Sequence, residues 1–250
     1  MSTMRALVDG GVPLVAVSFD DHESARAAAE ARSLGVDVAE LRIDRFARTD
    51  VDHVREQVRA FSGLPVLATV RSAAEGGGWT GSEEARLEVF RAVAPLVDAV
   101  DVELSSGAIL ADVIAAARAH DTLVIVSYHN FDHTPDGAEL AEVARAAKEA
   151  GADVVKISTM ANSNADLKVL ASLLVNADDD SKMIVIAMGE IGTASRIFFP
   201  ALGSLVTYTF IGHQPTSGQL DFAETFRLMR RFHPAYDRRK SAEPEPSATA

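Results

Sequence analysis

Between residues 14 and 231 the chain alternates, eight times over, a short apolar run with an amphipathic, alanine-rich stretch. Runs dominated by valine, isoleucine and leucine read as strands buried on both faces, and the stretches between them carry the 3.6-residue period of helices packed on one side. The strands fall at 14–18, 36–44, 65–71, 99–105, 122–129, 153–159, 183–189 and 204–211. Helices fill the gaps at about 22–34, 51–61, 82–96, 107–119, 137–150, 163–176, 192–201 and 219–231. Asp20 with Glu23 and Thr80 with Glu83 look like capping boxes, and Gly35 and Gly151 like C-caps. A repeat of about 27 residues is what a (β/α)8 TIM barrel needs in roughly 250 residues, and eight units is the count that closes one. A doubly wound open sheet is the alternative, but it rarely needs eight regular units. The expectation is a single α/β domain over 14–233, with residues 1–13 as a lead-in over the barrel bottom. Residues 234–250, rich in Pro, Ser, Ala and charge, are expected to be a disordered tail.

Composition narrows the function. A net charge of −12 argues against a nucleic-acid partner, since a phosphate backbone is met with basic surface. It does not exclude a small anionic substrate, which a local arginine cluster can hold. The absence of cysteine removes disulfides, thiolate chemistry and cysteine metal sites, and no metal is expected. Neither a leader pattern nor a run of about eighteen apolar residues occurs, so no membrane is expected and a cytoplasmic location is.

In barrels the chemistry sits at the carboxyl ends of the strands. Period-two alternation puts Glu40, Arg42 and Asp44 of the second strand on one face, and Asp101 and Glu103 of the fourth on another. The third strand ends at Arg71 and runs into a flexible loop with Glu75, and the fifth ends at His129. The sixth carries Lys156, of five lysines the one inside an apolar strand. Burying an ammonium costs several kcal/mol unless it is paired or loses its proton. Two readings follow: an amine of lowered pKa suited to Schiff-base chemistry, or a structural lysine whose amine finds a carboxylate. Glycines 189 and 192 after the seventh strand fit either a turn or an anion site at a helix amino terminus.

The segments ELRID (40–44), TVRSAAEGG (69–77), SYHNF (127–131), GADVVKIS (151–158), MGEIGTASR (188–196), GSLVTY (203–208) and SGQ (217–219) occur in order at these barrel positions. Together they resemble the type I 3-dehydroquinate dehydratases of the shikimate pathway. That resemblance implies a (β/α)8 barrel, usually a homodimer, that works without cofactor or metal on 3-dehydroquinate. It implies that Lys156 forms an imine with the substrate ketone, that His129 is the general base and acid, and that Glu75 positions His129. It gives Arg196 the substrate carboxylate, with Gln219 beside it, and Glu40, Arg42 and Arg71 the ring hydroxyls. Ser18, Met188 and Tyr208 match pocket-lining positions, the last being phenylalanine in relatives. The loop after the eighth strand departs from the family pattern: Pro215 stands at the usual serine, so a loop hydroxyl would have to come from Thr216 or Ser217. A carboxylate facing Arg71 is expected to have a low pKa, which favours imidazole over Glu75 as the base.

A class I aldolase acting on a sugar phosphate is the nearest rival, with glycines after the last strands as its phosphate site; ELRID and the strand-5 histidine have no obvious role in it. A binding domain that kept the fold but lost turnover is a second, opposed by the joint presence of Lys156, His129 and Glu75.

Overall fold

The computed structural model describes residues 3–178, 180–212 and 217–243. Its eight strands are β1 (Leu14–Phe19), β2 (Val38–Arg42), β3 (Val66–Thr69), β4 (Ala99–Glu103), β5 (Leu123–Asn130), β6 (Val154–Met160), β7 (Met183–Met188) and β8 (Val206–Thr209). Between and around them run α1 (Met4–Asp9), α2 (Ser24–Leu34), α3 (Val51–Ala60), α4 (Glu83–Val93), α5 (Leu110–Arg118), α6 (Gly137–Ala150), α7 (Asn164–Val175), α8 (Ser195–Phe198), α9 (Phe222–Phe232) and α10 (Pro234–Ala242). All strand pairs are parallel, in the order β7-β6-β5-β4-β3-β2-β1-β8. The remaining seam is bridged where Leu205 N donates to Met183 O at 2.8 Å and Val185 N to Ser204 Oγ at 3.0 Å. The sheet is a nearly closed (β/α)8 barrel, as the eightfold alternation implies.

Strand alternation divides the core in two. Ala39, Leu41, Ala68, Val100, Val102, Val124 and Val126 face the helices in the larger apolar cluster. Leu14, Val38, Leu67, Ala99, Leu123, Ile184 and Val206 fill the barrel itself. Helix α1 adds Met4 and Val8 to this inner cluster and is tied to the amino ends of the strands by Met4 N on Asp98 and Lys182 on Asp9. One layer higher the same inward face turns polar, through Glu40, Thr69, Asp101, Ser127 and Lys156, and the adjacent-strand register pairs Thr69 with Asp101 and Ser127 with Lys156.

Several local expectations are corrected. Helix α2 starts from Glu23 in a left-handed conformation (φ 49°) with no side-chain cap, so Asp20 does not cap it. Helix α4 is capped by Ser82, whose hydroxyl accepts from Ala85 N, rather than by Thr80. A true capping box joins Ser163 and Asp166 on α7. Gly35 and Gly151 do end their helices, at φ 74° and 109°. The helix expected over 192–201 shrinks to the single turn α8 between two 3-10 segments, because Pro200 cannot extend it.

The largest correction concerns the tail. Residues 234–242 form α10, started by Pro234 at a position where a missing N–H costs nothing. Tyr236 is fully buried in a cluster with Val15, Val36, Phe222 and Met229. Lys240 and Arg239 reach Asp37 at 2.7 and 3.0 Å, and Asp37 in turn accepts from Val15 N at 2.8 Å. Residues 244–250 lie outside the described residues.

Candidate active site

The polar layer converges on Lys156. Its stem lies in β6 between apolar neighbours and its ammonium meets Asp101 Oδ2 at 2.8 Å and Glu40 Oε1 at 3.7 Å. Burial alone would depress the amine; the field of Asp101, with Glu40 behind it, overrides this and raises its pKa. Of the two readings of this lysine, the amine that finds a carboxylate is the one observed: at rest Lys156 is a paired ammonium, without the lowered pKa of the other reading. Burial also works against the Asp101 carboxylate, but Arg71 and Lys156 hold it far below the ordinary range. Asp101 therefore belongs to the site, and the only sequence sign of it was the shared face with Glu103.

Arg71 is buried under this pair. It donates to Asp101 Oδ1 and Glu103 Oε1, both at 2.8 Å, and to Ser127 Oγ at 2.6 Å. Here it underpins Asp101 rather than standing open to a ligand. Glu103 is held from the other side by the fully buried Arg86, which also donates to Val70 O at 2.7 Å and Ser106 Oγ at 3.0 Å. Glu40 accepts from Thr69 Oγ1 at 3.0 Å and from the Ser18 hydroxyl. Arg42 is gripped bidentately by Asp44, at 2.9 and 2.7 Å, and Asp44 also accepts from Gly78 N at 2.9 Å. That approach needs glycine, since a Cβ at position 78 would stand 2.5 Å from Asp44 O.

His129 at the end of β5 is oriented by Glu75, whose Oε2 accepts from the His129 backbone N at 2.9 Å and faces Nδ1 at 3.0 Å. An acceptor at Nδ1 places the ring proton there and leaves Nε2 with the lone pair. Burial, then Arg71 and Lys156, push the imidazole well below its usual pKa, so it is neutral at neutral pH. Glu75 accepts a further bond from Ser105, a residue without sequence signal. Burial raises the Glu75 pKa, against the expected depression, because Arg71 acts on it less than desolvation does.

Arg196, on α8 after the Gly189–Gly192 turn, is 5% exposed. It pairs with no carboxylate among the described residues, and its Nε lacks a partner. Burial brings its pKa down to about 10, still charged at neutral pH. A buried unpaired guanidinium is a standing invitation to an anion. The loop carrying Gln219 is pressed onto the same turn: a Cβ on Gly218 would meet Gly189 O at 2.1 Å. Met188 and Tyr208 line the inner cluster, and the Lys156 amine lies 4.6 Å from the centre of the Tyr208 ring. Ser217 is exposed, and Thr216 lies outside the described residues. No group of three His, Asp or Glu side chains among the described residues is placed to hold a metal ion.

A buried lysine, a histidine held by a carboxylate and an arginine unpaired among the described residues, gathered at the carboxyl ends of the strands, mark a (β/α)8 barrel of the enzyme type. Residues 13–233 match the sequence profile of type I 3-dehydroquinase. A 3-dehydroquinate dehydratase of Methanosarcina barkeri is 36% identical over 210 residues, covering 80% of this chain and 87% of its own length. The crystal structure of the Aquifex aeolicus 3-dehydroquinate dehydratase superposes with a TM-score of 0.82 at 32% identity, covering 88% of this chain and 99% of that one. The type I enzyme of Clostridium difficile, solved with a covalently modified comenic acid, gives 0.84 at 26% identity over 90% and 94% of the two chains. The chain belongs to the type I 3-dehydroquinase family, and it is a hydro-lyase.

Proposed function

We propose that this chain dehydrates 3-dehydroquinate to 3-dehydroshikimate in the shikimate pathway through an imine on Lys156, with no cofactor. The observation that carries the mechanism is a buried Lys156 within the electrostatic reach of a neutral His129 whose side chain is largely covered. His129 Nε2 takes the ammonium proton, and the freed amine adds to the ketone carbon. The imidazolium hands that proton to the departing hydroxyl, so loss of water leaves a cationic imine, which acidifies the neighbouring carbon, and a neutral His129. His129 Nε2 then removes a proton from that carbon. The resulting enamine expels the β-hydroxyl, which takes the proton back from the imidazolium and leaves as water. A second water hydrolyses the imine and frees Lys156. Asp101 stabilises the cationic nitrogen before and after condensation, since it sits 2.8 Å from the amine. Arg196 takes the substrate carboxylate in its fork, with Gln219 on the adjoining loop. Glu40 and Arg42, fixed by Thr69 and Asp44, face the ring hydroxyls.

The test is borohydride reduction in the presence of 3-dehydroquinate. The expected result is one stable adduct mapped to Lys156; a label on Lys148 or Lys168, or none, overturns the mechanism. The family resemblance and the exposed apolar side chains Ile191 and Phe198 support a homodimer, which light scattering would detect. No helix among the described residues is long and apolar enough to cross a membrane, and a biosynthetic role on a small acid supports a cytoplasmic location.

A further inference from the structure

The mechanism above leaves one buried polar group beside the reacting nitrogen without a task. Tyr208 projects from β8 into the barrel, 5% exposed, among Ala16, Met188 and Ile186. Its ring stands against Lys156, with the amine 4.6 Å from the ring centre. Its hydroxyl is buried and completes no well-aligned hydrogen bond with a described residue, its polar neighbour being the Lys156 amine itself. Burial raises the phenol pKa and the nearby carboxylates Glu40 and Asp101 raise it further, against the opposing field of Lys156, so the group stays a neutral O–H. A buried hydroxyl with no completed hydrogen bond carries an uncompensated desolvation penalty. Burial of a phenol in that state is explained when a partner arrives during the reaction.

We propose that the Tyr208 hydroxyl is a catalytic hydrogen-bond donor to the oxygen that the substrate ketone carries while it condenses with Lys156. This rests on the imine reading given above. When the free amine adds, the N–C bond forms and the carbonyl π pair moves to oxygen. A proton passes from nitrogen to that oxygen, giving a carbinolamine. The hydroxyl then departs as water with the proton held by His129, and the nitrogen lone pair closes the C=N bond. Throughout, that oxygen is two bonds from Nζ, beside the Tyr208 ring. The phenol donates a hydrogen bond to the oxygen as charge collects on it and keeps its own proton. Lys156 and Asp101 cannot do this: one is the nucleophile, and the other is an acceptor only. The same bond serves imine hydrolysis, which runs the steps in reverse.

Tyr208→Phe isolates the hydroxyl, because phenylalanine keeps the ring and its contact with the Lys156 cation. The expected result is a fall of about 10-fold in kcat, the scale of losing one neutral hydrogen bond. KM should change little, and rapid-quench borohydride trapping at Lys156 should slow by the same factor. The pH profile should keep its shape, since the phenol does not titrate in the working range, and the melting temperature should hold or rise as an unpaired polar atom is removed. A purely structural tyrosine would lower the melting temperature and leave the trapping rate alone. Unchanged kcat and trapping rate in Tyr208→Phe overturn the role while leaving the imine mechanism standing. No adduct in the unsubstituted enzyme overturns both.

Discussion

Lys156 Nζ and Asp101 Oδ2 stand 2.8 Å apart inside the barrel, both side chains almost wholly removed from solvent. Neither residue is tolerable there alone. Removing one partner of a buried ion pair costs about 3–5 kcal/mol because the other charge is left unpaired. Glu40 remains 3.7 Å from the amine, so Asp101→Asn should cost about 3 kcal/mol, read from urea unfolding. The Lys156 pKa is raised in the fold, so its contribution is fully present below the unfolded value near 10.5 and is lost as pH rises through the folded value. The depressed Asp101 contributes above its unfolded value near 3.8 and loses that contribution as pH falls toward the folded one. Asp101→Asn should therefore flatten the acid limb of stability against pH. An unaltered acid limb would show that the carboxylate is not the anion the geometry makes it.

His129 and Glu75 divide the proton work unequally. Its lowered pKa keeps His129 in the base form throughout the neutral range, so kcat/KM should be flat from about pH 7 upward to 8 and fall only below the usual histidine value. His129→Ala should lower kcat by about 10²–10⁴-fold. Solvent can still take the Lys156 proton slowly, so the adduct should accumulate and be visible by denaturing mass spectrometry. Glu75→Gln should cost less, because an amide oxygen can still accept from both His129 N–H groups. Near-normal turnover in His129→Ala would transfer the base role to Glu75.

Arg196 is built for binding at the expense of the empty fold. Its buried charge, unpaired among the described residues, should be destabilising, so Arg196→Met is expected to raise stability by about 1 kcal/mol while removing the carboxylate fork. Loss of a buried charge pair to substrate costs about 2–5 kcal/mol, which is at least a 30-fold rise in KM. A variant with lower stability and unchanged KM would mean that the guanidinium is a structural brace.

The barrel was legible because eight apolar strands with one period admit few closures, and the pair Lys156 and His129 because each is a polar residue where β6 and β5 should be apolar. What stayed hidden depends on side-chain partners across the barrel. The raised pKa of Lys156 comes from Asp101, 55 residues earlier, and that of Glu75 from the balance between desolvation and Arg71. Neither balance is set by neighbours in sequence. Ser105 on Glu75 and Asp44 on Arg42 were hidden for the same reason, although Asp44 shares a motif with its partner. Helix α2 lacks its expected cap because Glu23 adopts a left-handed turn that Asp20 cannot reach across.

Helix α10 was read as a tail because PAYDRRKSA has no apolar period, and it folds against the barrel through one aromatic and two cations. Tyr236 is fully buried, and Lys240 and Arg239 close on Asp37 beside the start of β2. Replacing a fully buried large aromatic by alanine costs about 3–5 kcal/mol, so Tyr236→Ala should lower the melting temperature by about 6–20 °C in a protein of this size. Truncation after Phe232 should do at least as much, since it also strips the cations from the buried Asp37. Turnover at 25 °C should survive both changes. Asp37 and Val15 lie toward the amino ends of the strands, whereas Lys156, His129 and Arg196 gather toward the carboxyl ends. Truncation after Glu243 leaves every one of these contacts in place and should be silent in both assays. A silent truncation after Phe232 would mean that α10 does not dock in solution; lost turnover in a still-folded Tyr236→Ala protein would mean that the two ends of the barrel are coupled.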